Sequence, residues 1–284
     1  MQKRRFTLTI LIFSFFCLPQ SELHADTIRN IYTPRGTLVG DSYETNEMSD
    51  YWRNFYDESF STNYPNATQL TLWGEQYRSS SKYNCHGYAW HMIGDDEIND
   101  PVWIGYSNAG QTFKYWEDGS YDEVAAQFAT HVDYSGDHSA TTTSQTDIYI
   151  SKWNKFPLTR HHKDYHPGYG TPIRFLRKNP LVPHDYSTIS AAINAAISGQ
   201  SIYVSSGTYG ENITMKSGVN VIGSGSVTIA GSVTFNSATN CELRGVYVSN
   251  YSPATTTITI NNGSASTTKL VNVRSRNRIA INNG

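Results

Sequence analysis

Residues 185–223 read DYSTISAAINAAISGQSIYVSSGTYGENITMKSGVNVIG, and the periodicity changes within them. Ile189, Ala192, Ile193, Ala196 and Ile197 recur at three- and four-residue spacing, which predicts a short amphipathic helix over Thr188 to Ile197. Ser198-Gly199 stops it. From Ser201 onward only short β-type runs remain: Ser201 to Val204, Val219 to Ile222, Val227 to Ile229, Val233 to Phe235, Leu243 to Val248, Thr257 to Ile260 and Lys269 to Val273. Gly, Asn or Ser bounds each one. Matching runs such as Asn220-Val221-Ile222, Glu242-Leu243-Arg244-Gly245-Val246 and Lys269-Leu270-Val271-Asn272-Val273 return about every 22 to 28 residues, a solenoid period.

Upstream the composition is different. All six Trp, most Tyr and eight of the nine His precede residue 174. The basic, Pro-flanked stretch 174–184 between the two textures predicts a linker. The expected division is therefore 1–25 signal peptide, 26–66 N-terminal extension, 67–173 first domain, 174–184 linker and 185–284 solenoid segment.

The signal peptide is read from MQKRRFTLTILIFSFFCLPQSELHAD, in which Lys3, Arg4 and Arg5 precede an uncharged apolar run from Phe6 to Leu18. That run is too short to span a bilayer, and Leu23-His24-Ala25 offers a cleavage site. The expectation is export to the periplasm, the cell surface or the medium of a bacterium, with no membrane span after signal removal. Cleavage leaves Cys85 and Cys241, which form neither a disulfide framework nor a zinc motif. The mature chain is mildly acidic, which argues against nucleic acid as its partner. Its low charge and abundant Tyr suit a protein facing carbohydrate or cell wall.

Two resemblances follow from motifs. Tyr186-Ser187-Thr188-Ile189-Ser190-Ala191-Ala192-Ile193-Asn194-Ala195-Ala196, followed by Ile202-Tyr203-Val204, Gly207-Thr208-Tyr209, Glu211-Asn212-Ile213 and Gly218 to Gly223, resembles the start of a right-handed parallel β-helix of the pectin-lyase-like type. The resemblance implies that the helix plugs the open end of the first coil. It implies the fold rather than lyase or hydrolase chemistry, because Glu211 and Glu242 are the only acids after Asp185. The pattern is still running at Ile279-Ala280-Ile281-Asn282-Asn283-Gly284, with about three coils counted, which predicts an incomplete β-helix.

In the first half, Cys85 opens a predicted two-turn helix over Gly87-Tyr88-Ala89-Trp90-His91-Met92-Ile93. A cysteine at a helix N-terminus meets the positive end of the macrodipole, which favours thiolate. A thiolate nucleophile needs a base on a separate element. His138 in Gly136-Asp137-His138-Ser139-Ala140 is the candidate, on a predicted antiparallel meander. The motifs YNCHGYAWH (83–91), DPVW (100–103), YWEDGSY (115–121), GDHSA (136–140) and SKWN..PL..H (151–161) resemble papain-like cysteine hydrolases of the CHAP and NlpC type, and more closely exported amidase-like bacterial proteins.

The resemblance spans residues 77–169 and implies an α+β papain-like domain. Cys85 would be the nucleophile and His138 the general base. The third, orienting residue stays open among His161, Asn154 and Asp147. The Cys85 backbone N–H would hold the oxyanion, helped by Asn84 or Tyr83. It implies no cofactor and no metal; His161-His162-x-Asp164-x-His166 is read as a surface loop. The implied partner is a peptide or peptidoglycan amide, with polysaccharide contact through the β-helix. The competing readings are a non-catalytic surface or adhesion protein and a polysaccharide-active β-helix. Cys241, with no His near it, reads as a buried filler.

Overall fold

Seven strands form one antiparallel sheet in the order Thr68–Gln69, Leu158–His162, Ile148–Lys152, His138–Thr142, His131–Tyr134, Pro172–Lys178 and Tyr121–Glu123. The computed structural model describes residues 26–72, 75–76, 78–94, 99–105, 111–250, 257–262 and 267–283. The expected signal peptide lies outside them. Among the described residues the chain is mostly β with few helices, and no helix is long and apolar enough to cross a membrane.

The predicted meander is present. Its turns use Asp137, Asp147 and Asn154 at φ of 59°, 60° and 52°, a left-handed conformation that Asp and Asn tolerate better than other non-glycine residues. Successive side chains of each strand alternate between the two faces of the sheet. One face packs on the helix that follows Cys85: Ile150 and Leu158 join Tyr83, Tyr88 and Met92 there. The other carries Val132, Tyr134, Ala140 and Tyr149. It is covered by α1 (Asp50–Asn63), whose Phe60 ring lies 5.9 Å from that of Trp153, and by the loop 163–171.

Two expected boundaries are redrawn. Residues 174–178, expected as linker, belong to the strand Pro172–Lys178, paired on both sides within the sheet. The basic residues disguised two apolar neighbours: Leu176 enters the core on the helix side, and Phe175 packs on the opposite one. The expected extension is stitched into the same body. Thr27–Ile28 pairs with Ser42–Glu44, which pairs with Trp103–Ile104.

From Leu181 the chain is a β-solenoid of about four turns, consistent with a parallel β-helix. Val221 pairs in parallel with Leu243, and Leu243 with Leu270. On the second sheet Val233 pairs with Ile258, and Ile258 with Ile279. Apolar side chains stack inward into one core with Phe235 and Cys241, which is the filler role expected of that cysteine. The helix Ile189–Ala195 closes the first coil, burying Ile189, Ala192 and Ile193. Thr188 Oγ1 caps it, and Glu211 accepts from the backbone N–H groups of Ile189 and Ser190. Sheet and solenoid touch: Ser201 N donates to Asp122 Oδ2 at 2.9 Å, and the Arg35 guanidinium lies 3.7 Å over the Tyr203 ring.

Candidate functional site

The helical run starts at Cys85, as the motif predicted, and is wound as a π-helix over Gly87–Ile93. Asn84 sets its start. The Asn84 Oδ1 accepts from Gly87 N at 2.9 Å, while Nδ2 donates to Ile104 O at 2.5 Å. The amide expected to help hold an oxyanion is thus engaged at both ends, as a cap and as a tie to the strand Trp103–Ile104. Gly87 is required here, because a Cβ would meet Val102 O at 1.8 Å.

Ser139 is the hub between helix and sheet. Its Oγ lies 2.8 Å from His86 Nδ1 and accepts from Trp90 Nε1 at 2.9 Å. The His86 Nε2 lies 3.3 Å from Asp137 Oδ1. His86 is thus buried and fastens the helix start to the GDHSA hairpin. Trp90 is stacked between Tyr115 and His131. The His131 Nε2 meets Ala89 O at 2.9 Å, and burial lowers its pKa to about 4. His91 lies 2.8 Å from Asp100, which also binds Arg29 of the extension.

Cys85 is buried, and desolvation pushes its thiol up to about 12. A backbone hydrogen bond from Ser139 opposes that rise, whereas the charge of Asp137 adds to it. The thiolate expected from the helix terminus is therefore not the resting form: desolvation outweighs the terminus.

His138 is the residue before Ser139, and alternation sends its side chain to the opposite face. There the imidazole stacks on Tyr169 with centroids 4.0 Å apart and meets Tyr134 edge-on at 5.2 Å. It is fully buried, and neither ring nitrogen has a hydrogen-bond partner. Burial holds it well below its usual range, with the charges of His86, His161 and His166 acting in the same direction. Cys85 and His138 are thus brought to the same point of one strand, Ser139 lying between them, but thiol and imidazole are not hydrogen bonded.

His161 shares the His138 face, two strands further along. Its Nε2 lies 2.8 Å from Ser151 Oγ and its Nδ1 2.8 Å from His162 O, and burial lowers its pKa to about 4. Asn154 is an exposed turn residue whose carbonyl accepts from Lys152 Nζ. Asp147 likewise occupies a turn, its carbonyl accepting from Lys163 N. Tyr83 packs in the helix-side core beneath Lys152. Among the described residues no group of three or more His, Cys, Asp or Glu could hold a metal ion; the side chains of His162 and Asp164 are about half exposed.

Residues missed in the sequence are Ser139, Tyr169 and Lys152. The first and last sit inside quoted motifs, GDHSA and SKWN, where only their neighbours drew attention. No protein-family model, no curated protein and no solved structure matches this chain.

Proposed function

We propose that the chain is an exported cysteine-dependent amide hydrolase of papain-like type, with Cys85 as nucleophile and His138 as general base. One observation carries this reading. A fully buried imidazole with two unpartnered nitrogens stands one residue from the N–H that faces the only cysteine of its domain. A buried polar group without partners is costly to a fold, and a proton-transfer role accounts for keeping it.

In the proposed reaction the Cys85 S–H gives its proton to His138 as sulfur bonds to the amide carbonyl carbon. The C–N bond then breaks, with the proton passing from His138 to the departing amine. Water, deprotonated by His138, cleaves the thioester, releasing the carboxylate and restoring the thiol. The Cys85 N–H is the proposed oxyanion donor. His161, already held by Ser151 and His162, is the proposed third polar residue, acting across the face it shares with His138.

The reaction requires the His138 imidazole, which lies on the face turned away from Cys85, to leave its stack on Tyr169 and swing past the turn at Asp137 to the sulfur. The loop 163–171 is the part proposed to move, since Tyr169 covers the imidazole and Gly168 and Gly170 flank it at φ of 80° and 79°. The proposed substrate is an amide of peptidoglycan or its stem peptides outside the cytoplasmic membrane. The solenoid would display the domain or contact polysaccharide. Burial of the Cys85 thiol favours the second reading, a non-catalytic surface protein with an inert cysteine.

Digestion of peptidoglycan and of peptide amides, followed by release of new primary amines, separates the two. Loss of at least about a hundred-fold in rate is expected for Cys85→Ala. Equal rates in the variant and the original chain would rule out the mechanism.

A further inference from the structure

Lys152, in the SKWN motif, is fully buried. Its Nζ donates to three backbone carbonyls: Ser80 O at 3.0 Å, Asn154 O at 2.8 Å and Phe156 O at 2.5 Å. It also stands 5.1 Å from the centroid of the Tyr83 ring. Among the described residues no carboxylate lies within salt-bridge distance of it. An unpaired buried ammonium is expensive, and an apolar side chain of similar volume fills such a site at lower cost. Filling space does not explain a lysine here.

Its place in the sheet does. The strands His138–Thr142 and Ile148–Lys152 are paired at Thr142↔Tyr149 and Thr141↔Ile150, where the described ladder ends. Continuing the register would set Ser139 opposite Lys152. The Cys85 sulfur meets Ser139 N–H at this break, and Lys152 grips Ser80 and Tyr83 on the approach to Cys85. The charged groups facing Lys152 are Glu47, Asp57, Cys85 and Lys155. The charge that acts on the sulfur is that of Asp137, and the backbone of Ser139, His86 and Cys85 itself hydrogen-bonds to it.

We propose that the Lys152 ammonium is the counter-charge of the Cys85 sulfur as it ionises, a positioning residue for the hydrolysis argued above. This rests on that reading of Cys85. Charge on one group favours charge on the other, so the thiol ionises more readily while Lys152 holds its proton. Burial lowers Lys152 to about 7, which sets the ammonium to titrate where the enzyme would work.

The test uses the full chain. Iodoacetamide alkylation of Cys85, read by peptide mass from pH 6 to 10, is compared with Lys152→Met and Lys152→Gln. The glutamine keeps N–H donors for the carbonyls without the charge. Roughly ten-fold slower alkylation is expected in both variants at pH 6, where Lys152 holds its proton, if the coupling is about one pH unit, and the difference should fade above about pH 8 as the original chain loses that proton. A folded glutamine variant with an unchanged profile would overturn the proposal. Should neither variant fold, NMR titration of the Lys152 side chain in the original chain and in Cys85→Asp decides. A raised Lys152 midpoint beside the carboxylate supports the pair, and an unmoved midpoint rejects it. Coupling found alongside full hydrolysis by Cys85→Ala would keep the charge pair and remove the catalytic reading.

Discussion

The His138 imidazole lies flat beneath the Tyr169 ring, with centroids 4.0 Å apart and planes 8° from parallel. The contact covers one face of a buried base that has no hydrogen-bond partner. The loop is held over it by main-chain bonds: Gly136 N donates to Tyr169 O, and Ser135 N to Thr171 O. Tyr169 is therefore the proposed gate of the site.

Replacing Tyr169 by Ala is expected to cost about 0.5–1.5 kcal/mol of stacking. It should also raise amide-hydrolysis kcat/KM several-fold if opening limits the reaction. Paired thermal melts and steady-state kinetics measure both. A variant that loses stability and gains no rate would assign Tyr169 a packing role alone.

Ser139→Ala removes the oxygen shared by His86 and Trp90. The buried Trp90 N–H then lacks its acceptor, a loss of about 1–3 kcal/mol. Denaturant unfolding should show it. Cys85 alkylation should quicken as well, because the helix start is no longer fastened to the hairpin; a rate equal to the original would show that His86 and Asp137 suffice.

Asn84→Ala tests whether the amide caps or binds an oxyanion. The cap and the Ile104 tie together predict a stability loss of about 2 kcal/mol. The conservative Asn84→Ser keeps a cap acceptor but removes the amide donor. Recovery of stability and activity together in the serine variant fits the capping role; stability restored without activity would instead return Asn84 to the oxyanion site.

Acid should unfold the first domain earlier than its carboxylates alone would. His131 and His161 are neutral in the folded chain, with pKa lowered by burial from 6.5 to about 4, and His138 is lowered in the same direction. Between those values the unfolded chain binds more protons, so this contribution is complete above about pH 6.5 and is lost as pH falls towards 4. A shift of that size corresponds to roughly 3 kcal/mol for each of His131 and His161. Lys152 changes little in this window, since its folded value lies near 7. Urea unfolding at pH 7 and pH 4.5 measures the loss; equal stabilities would contradict the buried, neutral assignment.

Much of this architecture was readable from periodicity. Ile189, Ala192 and Ile193 announced the plug helix, and the returning Val and Ile runs announced the solenoid, because the same inward positions recur in each coil. The meander was readable from its turns. The strand Pro172–Lys178 was not, since Arg174, Arg177 and Lys178 mask Phe175 and Leu176, which face opposite cores. Tyr83-Asn84-Cys85 announced a helix start, but a string of residues carries no information on burial. Hence the thiol was expected ionised where the fold makes it neutral. Strand alternation places Ser139, not His138, on the helix side, and only the sheet register puts Lys152 on that side as well.

The most direct measurement is the mass of the intact protein quenched during turnover of a peptide amide. The expected result is an adduct equal to the acyl half of the substrate, mapped to Cys85 and absent from Cys85→Ala, which also ceases to turn over. Turnover with no adduct on Cys85, and at the same rate in Cys85→Ala, would contradict the Cys85–His138 mechanism.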